Sequence, residues 1–363
     1  MNINQVIVFI MMIFMMLGAI DRIIGNRFGL GKEFEEGFNA MGPLALAMVG
    51  VVSLAPVLAN ILRPIVVPVY QFLGADPSMF ATTLLAIDMG GYPLAKELAL
   101  TSEAALYSGI ILGSMMGATI VFSIPVALGI IPEEDRPWLA KGMLAGFITI
   151  PIGCIVGGLV AGWPLGFCIV NMIPVAIVAG LIALGLWRIP EKMTRGFDIF
   201  GKGVVIMITI GLAAIVWETM TGIVLIPGLA PVWDGIQIVG AIAIVLCGAY
   251  PMVKVIIGVA QKPLSALGRL LGMNEVAAGG MVANLANNIP MFALFKDMDN
   301  RGKVLNAAFA VSAAFTFGDH LGFTAGNEPQ LIVPMIVGKL VAGATAVALA
   351  MLVAPKSDLE PKA

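Results

Sequence analysis

Three carboxylates of this sequence lie inside long apolar runs, where ionisable residues are rare. They are Asp88, Glu218 and Asp319. A carboxylate in hydrocarbon costs roughly 2.5–3.5 kcal/mol on insertion scales, so each is expected to bind a ligand or a partner charge. Asp88 lies shortly before two glycines. Instead of binding a ligand, it could have the structural role of capping a broken helix. Glu218 is also a candidate for a cation-binding pocket, although an ion pair with Lys339 is the preferred interpretation.

Amide and imidazole groups add hydrogen-bonding capacity in similar surroundings. Asn284, Asn287 and Asn288 can each donate and accept, which suits a ligand that has both a hydroxyl and an amine, whereas asparagine also satisfies irregular backbone. His320, the only histidine, follows Asp319. This pair is expected in the site, with His320 as a hydrogen-bonding or proton-relaying group. Alternatively, the two side chains pair only to reduce the cost of burying both.

A cationic or zwitterionic solute fits these residues better than an anion. The apolar runs contain three carboxylates but only the two lysines Lys254 and Lys339. Lys254 lies near the end of its run, where a long side chain can reach the interface. Tyr92, close to Asp88, is a further candidate for lining the pocket through its ring or its hydroxyl.

Composition identifies the elements that must position these residues as membrane helices. Of the 363 residues, 60% are hydrophobic and 12% are charged, and the mean hydropathy is +1.01. Average soluble domains have roughly 45–50% apolar residues and 25% charged residues. The formal charge of −2 and the absence of a basic run argue against nucleic-acid binding. No spacing of residues indicates a metal site, a nucleotide or another cofactor.

The hydrophobic pattern predicts an all-α polytopic membrane protein with about nine full spans. A span needs about 20 apolar residues. Two further segments, 87–93 and 287–290, interrupt apolar stretches with helix-breaking residues. Each is either a re-entrant hairpin or a kinked span, and two kinked spans would bring the total to eleven spans. The expected full spans are 3–20, 38–62, 104–130, 138–161, 164–187, 202–226, 235–260, 304–325 and 329–353.

Basic residues favour the hairpins, because cytoplasmic loops are enriched in Lys and Arg. If both broken segments crossed the membrane, the loop Lys and Arg residues would divide evenly between the two sides. If both segments are hairpins, Arg63 and Lys96 are the only loop Lys and Arg residues on one side of the membrane, and the others lie on the opposite side. This topology places the N-terminus outside and the C-terminus in the cytoplasm.

An internal repeat fits the same topology. Leu73–Asp76 recurs as Leu271–Asn274, and Pro93 recurs as Pro290. The two halves would be oppositely oriented, and inverted repeats with paired helix breaks are typical of secondary transporters. The expected units are a first membrane repeat at 1–131, connecting spans at 132–200 and a second membrane repeat at 201–363.

Three motifs resemble those of the bacterial ethanolamine-utilisation transporters, the ethanolamine permease family. They are the stretches 87–95, 284–292 and 317–323, which read IDMGGYPLA, NLANNIPMF and FGDHLGF. The resemblance covers essentially the whole chain. It implies a multi-pass protein of the bacterial cytoplasmic (inner) membrane that admits ethanolamine. Like a lysine side chain, whose pKa is about 10.4, this amine is mostly protonated at pH 7.

Transport as a facilitator or a secondary transporter, by alternating access, is therefore the leading hypothesis. Uniport and coupling to protons or sodium both fit the residues. The alternative is an intramembrane enzyme that uses Asp319 and His320 with Ser312. Ethanolamine and the lipid bilayer are the expected partners, and a homo-oligomer is compatible with the sequence.

Overall fold

A computed structural model describes residues 2–356, without the side chains at 260–262, 264, 265, 267 and 269. Throughout this part of the chain the regular structure is helical. The first half contains α1 (Ile3–Ile23), α2 (Leu30–Asn39), α3 (Met41–Phe72), α4 (Ser78–Leu84), α5 (Tyr92–Leu98), α6 (Ser102–Ile130), α7 (Arg136–Val160) and α8 (Leu165–Arg188). The second contains α9 (Pro190–Thr221), α10 (Val232–Leu270), α11 (Glu275–Asn284), α12 (Asn288–Leu294), α13 (Asn300–Ala313), α14 (Asp319–Asn327) and α15 (Ile332–Val353).

Eight helices in the described part of the chain are long and apolar enough to cross a membrane. This confirms an all-helical polytopic membrane protein. The expectation of an unbroken span at 304–325 is wrong, because α13 ends at Ala313 and α14 begins only at Asp319. Phe315, in the intervening turn, has a φ of 61°. Hydropathy could not reveal this break, since the residues that form it are themselves mostly apolar.

Both segments predicted to be broken fold back on themselves. Before α4, Asp76 accepts a hydrogen bond at Oδ2 from the backbone N–H of Leu100, which follows α5, at 3.0 Å. In the second half, the N–H of Asn274 donates to Oδ1 of Asp299 at 2.8 Å. The ends of each segment therefore meet, as they do in a helical hairpin. We call 76–100 the first hairpin and 274–299 the second.

Small residues allow the helices around the hairpins to pack closely, as is common in membrane proteins. α7 crosses α15 so closely that a β-carbon added to Gly153 would lie 2.4 Å from the carbonyl oxygen of Gly338. A buried ion pair joins α13 to the turn before α7, with Lys303 Nζ 2.5 Å from Asp135 Oδ1. α7, α13 and α15 therefore form a tightly packed group beside the hairpins.

Candidate functional site

A cavity of about 40 Å³ lies where the first hairpin meets the break between α13 and α14. This exceeds the roughly 10–15 Å³ that one water molecule requires. Three stretches of chain contribute to it: the hairpin tip, the middle of α6, and the α13–α14 break with the start of α14. The lining residues are Ala86, Asp88, Ala118, Phe122, Phe315, Asp319 and His320.

The local backbone explains how Asp88 reaches the cavity. α4 ends at Leu84, and extended backbone follows at Leu85 and Ala86. The N–H of Gly91 then donates to the carbonyl of Ala86 at 2.8 Å, and Gly90 adopts a φ of 95°, which costs little only for glycine. Asp88 thus lies in a tight turn between two short helices. Its carboxylate accepts no hydrogen bond from another residue in the described part of the chain, so it is available to a ligand.

The tip of the second hairpin holds the α13–α14 break in place. The N–H of Phe315 donates to the carbonyl of Asn284 at 3.0 Å, and that of Phe317 donates to Leu285 at 2.8 Å. At the start of α14, Asp319 accepts a hydrogen bond at Oδ1 from the Tyr250 hydroxyl at 2.5 Å. This bond orients the carboxylate.

Lys339 lies behind the cavity and is only 1% exposed. Its ammonium group donates to the carbonyl oxygen of Ser114 and lies 3.0 Å from His320 Nδ1. The expected ion pair between Lys339 and Glu218 is therefore wrong. Glu218 lies on α9, outside the cavity lining, and its Oε2 is buried without a hydrogen-bond partner in the described structure.

Two phenylalanine rings complete the cavity. The ring centroids of Phe122 and Phe315 are 5.6 Å apart at an interplanar angle of 77°, and Phe315 lies 5.1 Å from the His320 ring. Aromatic faces attract cations, most strongly where water is excluded. Two carboxylates and two aromatic rings around one small cavity therefore suit a small organic cation.

The structure places Tyr92 outside the lining of this cavity, although it is close in sequence to Asp88. Its hydroxyl donates to the carboxylate of Glu328, and Lys96 Nζ lies 3.3 Å from the same hydroxyl oxygen. The ring packs against Phe323, with centroids 5.3 Å apart. Tyr92 thus links the first hairpin to α14.

The three candidate asparagines also lie outside the lining. Asn287 caps α12 by accepting the N–H of Ile289 at 2.8 Å. Asn288 Nδ2 donates to Ser123 Oγ on α6 at 2.7 Å. The Oδ1 atoms of Asn284 and Asn288 are buried without partners in the described structure. Asn287 thus has a capping role in the second hairpin and Asn288 links it to α6, while a role of the asparagines in ligand binding stays a prediction.

Each hairpin tip presses a carbonyl oxygen against a glycine, so these glycines are expected to tolerate no side chain. A β-carbon on Gly117 would lie 1.9 Å from the oxygen of Leu85, and one on Gly318 would lie 2.0 Å from that of Ala286. We expect Gly117→Ala and Gly318→Ala each to lower the free energy of unfolding by about 1–3 kcal/mol or more, because the backbone must move apart. Thermal unfolding in detergent measures the effect.

The matched control is Gly129→Ala, since a β-carbon there would meet nothing within 4 Å. Its melting temperature should stay close to that of the unchanged protein. Equal melting temperatures for all three variants would contradict the close contacts at the hairpin tips.

Comparison with known proteins gives a match over nearly the whole chain. A family model described as "Ethanolamine utilisation protein, EutH" matches residues 3–353. No solved structure matches the chain.

Several curated bacterial proteins are similar over nearly their full length. A protein of Listeria monocytogenes serotype 1/2a (strain 10403S), named "Probable ethanolamine permease EutH", is 63% identical over 100% of this chain and 97% of its own. The protein of the same name from Escherichia coli (strain K12) is 56% identical over 99% of this chain and 97% of its own. A protein of Bacillus subtilis (strain 168), named "Uncharacterized protein YxeR", is 54% identical over 98% of this chain and 96% of its own.

Proposed function

Because this chain belongs to the EutH family of ethanolamine utilisation proteins, we propose that it transports ethanolamine across the bacterial cytoplasmic membrane. We propose that ethanolamine binds in the cavity lined by Asp88, Asp319 and His320, which we call the central cavity. The observation that carries the proposal is the pairing of Asp88 and Asp319 with two phenylalanine rings around one cavity. A membrane protein buries such carboxylates at high cost, which a cationic ligand offsets.

Charge balance supports a single monovalent cation as the ligand. When ionised, Asp88 and Asp319 carry two negative charges, and a protonated Lys339 carries one positive charge. One protonated amine therefore makes the site neutral, which minimises the cost of burial. Phe122 and Phe315 line the same cavity, where an aromatic ring can attract the ammonium group. Because Tyr250 already donates to Asp319 Oδ1, the second oxygen of that carboxylate is assigned to the ligand.

An inverted repeat is proposed for the fold, and equivalent contacts support it. Asp76 and Leu100 join the ends of the first hairpin as Asn274 and Asp299 join those of the second. The contact of Gly117 with the Leu85 carbonyl recurs as that of Gly318 with Ala286, with both members shifted by the same number of residues. The proposed units remain 1–131 and 201–363, with 132–200 between them.

Alternating access is the proposed mechanism, and the position of the cavity supports it. Its lining comes from the first hairpin and α6 in one half and from the α13–α14 region in the other. Rocking of one half against the other would then expose the same residues first to one side of the membrane and then to the opposite side.

The proposed topology predicts opposite accessibility for the two hairpins. Cysteines that replace Lys96 and Lys296, near the end of each hairpin, should react with an impermeant reagent from outside and from the cytoplasm, respectively. The N-terminus should lie outside and the C-terminus in the cytoplasm. Labelling of both cysteines from the same side would contradict the inverted arrangement.

The enzyme alternative has less support from the geometry. Ser312 Oγ is buried without a hydrogen-bond partner in the described structure, and His320 Nδ1 is bonded to Lys339 instead. A nucleophile activated by a neighbouring base requires a hydrogen bond between them. Assembly into a homo-oligomer stays a prediction.

Uptake of labelled ethanolamine into proteoliposomes tests the proposal. The purified protein should give saturable uptake well above that of protein-free liposomes. Glu218→Gln, which removes an intramembrane carboxylate outside the cavity, should keep this uptake. If uptake by the unchanged protein equals that of protein-free liposomes, ethanolamine transport is excluded.

A further inference from the structure

We propose that Lys339 fixes His320 as the neutral tautomer with its proton on Nε2, so that this ring donates a hydrogen bond to the hydroxyl oxygen of the bound amino alcohol. The inference rests on the proposed function, and it assigns the recognition of the second polar group of ethanolamine to His320. Lys339 acts as a positioning residue, because it reaches the ligand only through His320.

The first step is the direction of the bond between the two side chains. A lysine ammonium has three donors and no acceptor. Lys339 Nζ lies 3.0 Å from His320 Nδ1 and also donates to the carbonyl oxygen of Ser114. When Lys339 is protonated its ammonium can only donate, so Nδ1 accepts and cannot carry a proton. The one proton of the neutral ring is then on Nε2.

The second step is the position of the ring. His320 lines the cavity whereas Lys339 lies outside the lining, so Nδ1 is directed away from the ligand. Nε2 is the remaining polar atom of the ring, and no residue of the described structure forms a hydrogen bond with it. It is therefore available to a ligand.

The third step compares His320 with the rest of the lining. The two carboxylates accept hydrogen bonds when ionised, and the alanine and phenylalanine side chains make none. Among the described residues that line the cavity, His320 thus has the one donor side chain. The ammonium group of ethanolamine only donates and is paired with Asp88 and Asp319. The hydroxyl oxygen is the acceptor that Nε2–H requires.

This arrangement makes the site selective for an amino alcohol over a simple alkylamine. Propylamine has a methyl group where ethanolamine has its hydroxyl, and would leave Nε2–H buried without a partner. An unpaired buried donor is costly. We expect ethanolamine to bind about tenfold more tightly than propylamine, which corresponds to the free energy of one hydrogen bond.

Nitrogen NMR of the sole histidine tests the tautomer directly. Because the chain has one histidine, ¹⁵N-histidine labelling of protein without a histidine tag reports on His320 alone. At pH 7 the expected spectrum is that of a neutral ring protonated at Nε2. Lys339→Met should change the balance of tautomers. A ring protonated at Nδ1, or an imidazolium, in the unchanged protein would overturn the inference.

Competition against labelled ethanolamine tests the selectivity. His320→Leu should reduce the ratio of propylamine to ethanolamine inhibition constants from about tenfold to near unity. His320→Gln, whose amide nitrogen can reach the position of Nε2, should retain part of it. An unchanged ratio in His320→Leu would overturn this inference while leaving ethanolamine transport intact. Failure of the unchanged protein to bind ethanolamine would instead refute the proposed function.

Discussion

Asp88→Asn is expected to weaken ethanolamine binding by about two orders of magnitude. Breaking a close, desolvated charge pair costs 2–5 kcal/mol or more, and about 3 kcal/mol corresponds to that factor. Asparagine has nearly the same shape as aspartate, so the packing of the hairpin tip should be preserved. The Asp88 carboxylate accepts no hydrogen bond from another described residue. The substitution therefore removes an interaction with the ligand and no hydrogen bond within the protein. Isothermal titration of the purified protein measures the change.

The control for this variant is Glu218→Gln, which removes the same charge from a carboxylate outside the cavity lining. Its affinity should match that of the unchanged protein. If Asp88→Asn also kept its affinity while remaining folded, the ammonium group could not be bound at the first hairpin.

Lys339→Met should lower the free energy of unfolding by about 3–5 kcal/mol. Lys339 Nζ bonds to the Ser114 carbonyl oxygen and to His320 Nδ1, and leaving each of these buried groups unsatisfied costs about 1–3 kcal/mol. Lys339 is fully buried, and its loss also leaves two carboxylates, Asp88 and Asp319, at one cavity without the lysine's charge. Methionine preserves most of the side-chain volume, so cavity formation contributes little. Thermal unfolding in detergent detects the loss.

A double variant separates charge balance from ligand binding. Adding Asp88→Asn to Lys339→Met removes one charge of each sign, so stability should recover in part while ethanolamine binding remains weak. Lys192→Met, at an exposed lysine, should change stability by no more than about 0.5 kcal/mol. If the double variant lost as much free energy of unfolding as the two single variants together, electrostatic coupling between Asp88 and Lys339 would be contradicted.

The sequence identified the charged groups around the cavity because burial of charge is costly wherever it occurs. Asp88, Asp319 and His320 stand out in apolar runs, and the structure brings all three to one cavity. Their role in ethanolamine binding stays a prediction. Lys339 stands out for the same reason, but the predicted ion pair with Glu218 is wrong, since position within a span does not show which helix lies opposite.

Apolar and paired residues could not be identified in this way. Phe122 and Phe315 are two of 18 phenylalanines, and their contact depends on the break between α13 and α14. Tyr92 is next to the hairpin tip in sequence, but its hydroxyl pairs with Glu328, which is remote along the chain. Such long-range pairings depend on tertiary packing, which the hydrophobic pattern of one chain does not encode.

The hairpins were better predicted than the number of unbroken spans. Helix-breaking residues mark the tips at 87–93 and 287–290, and the distribution of Lys and Arg favours segments that return to the same side. The α13–α14 break has no proline and lies within apolar residues. Its geometry arises from backbone hydrogen bonds with Asn284 and Leu285, so it depends on the second hairpin.

An experimental structure of the protein with ethanolamine bound would test the central claim most directly. The account predicts ligand density in the cavity, with the ammonium nitrogen at hydrogen-bond distance from Asp88 and Asp319 and the hydroxyl oxygen next to His320 Nε2. Ligand density instead beside Tyr92 and Glu328, or among the asparagines of the second hairpin, with the central cavity empty, would contradict it.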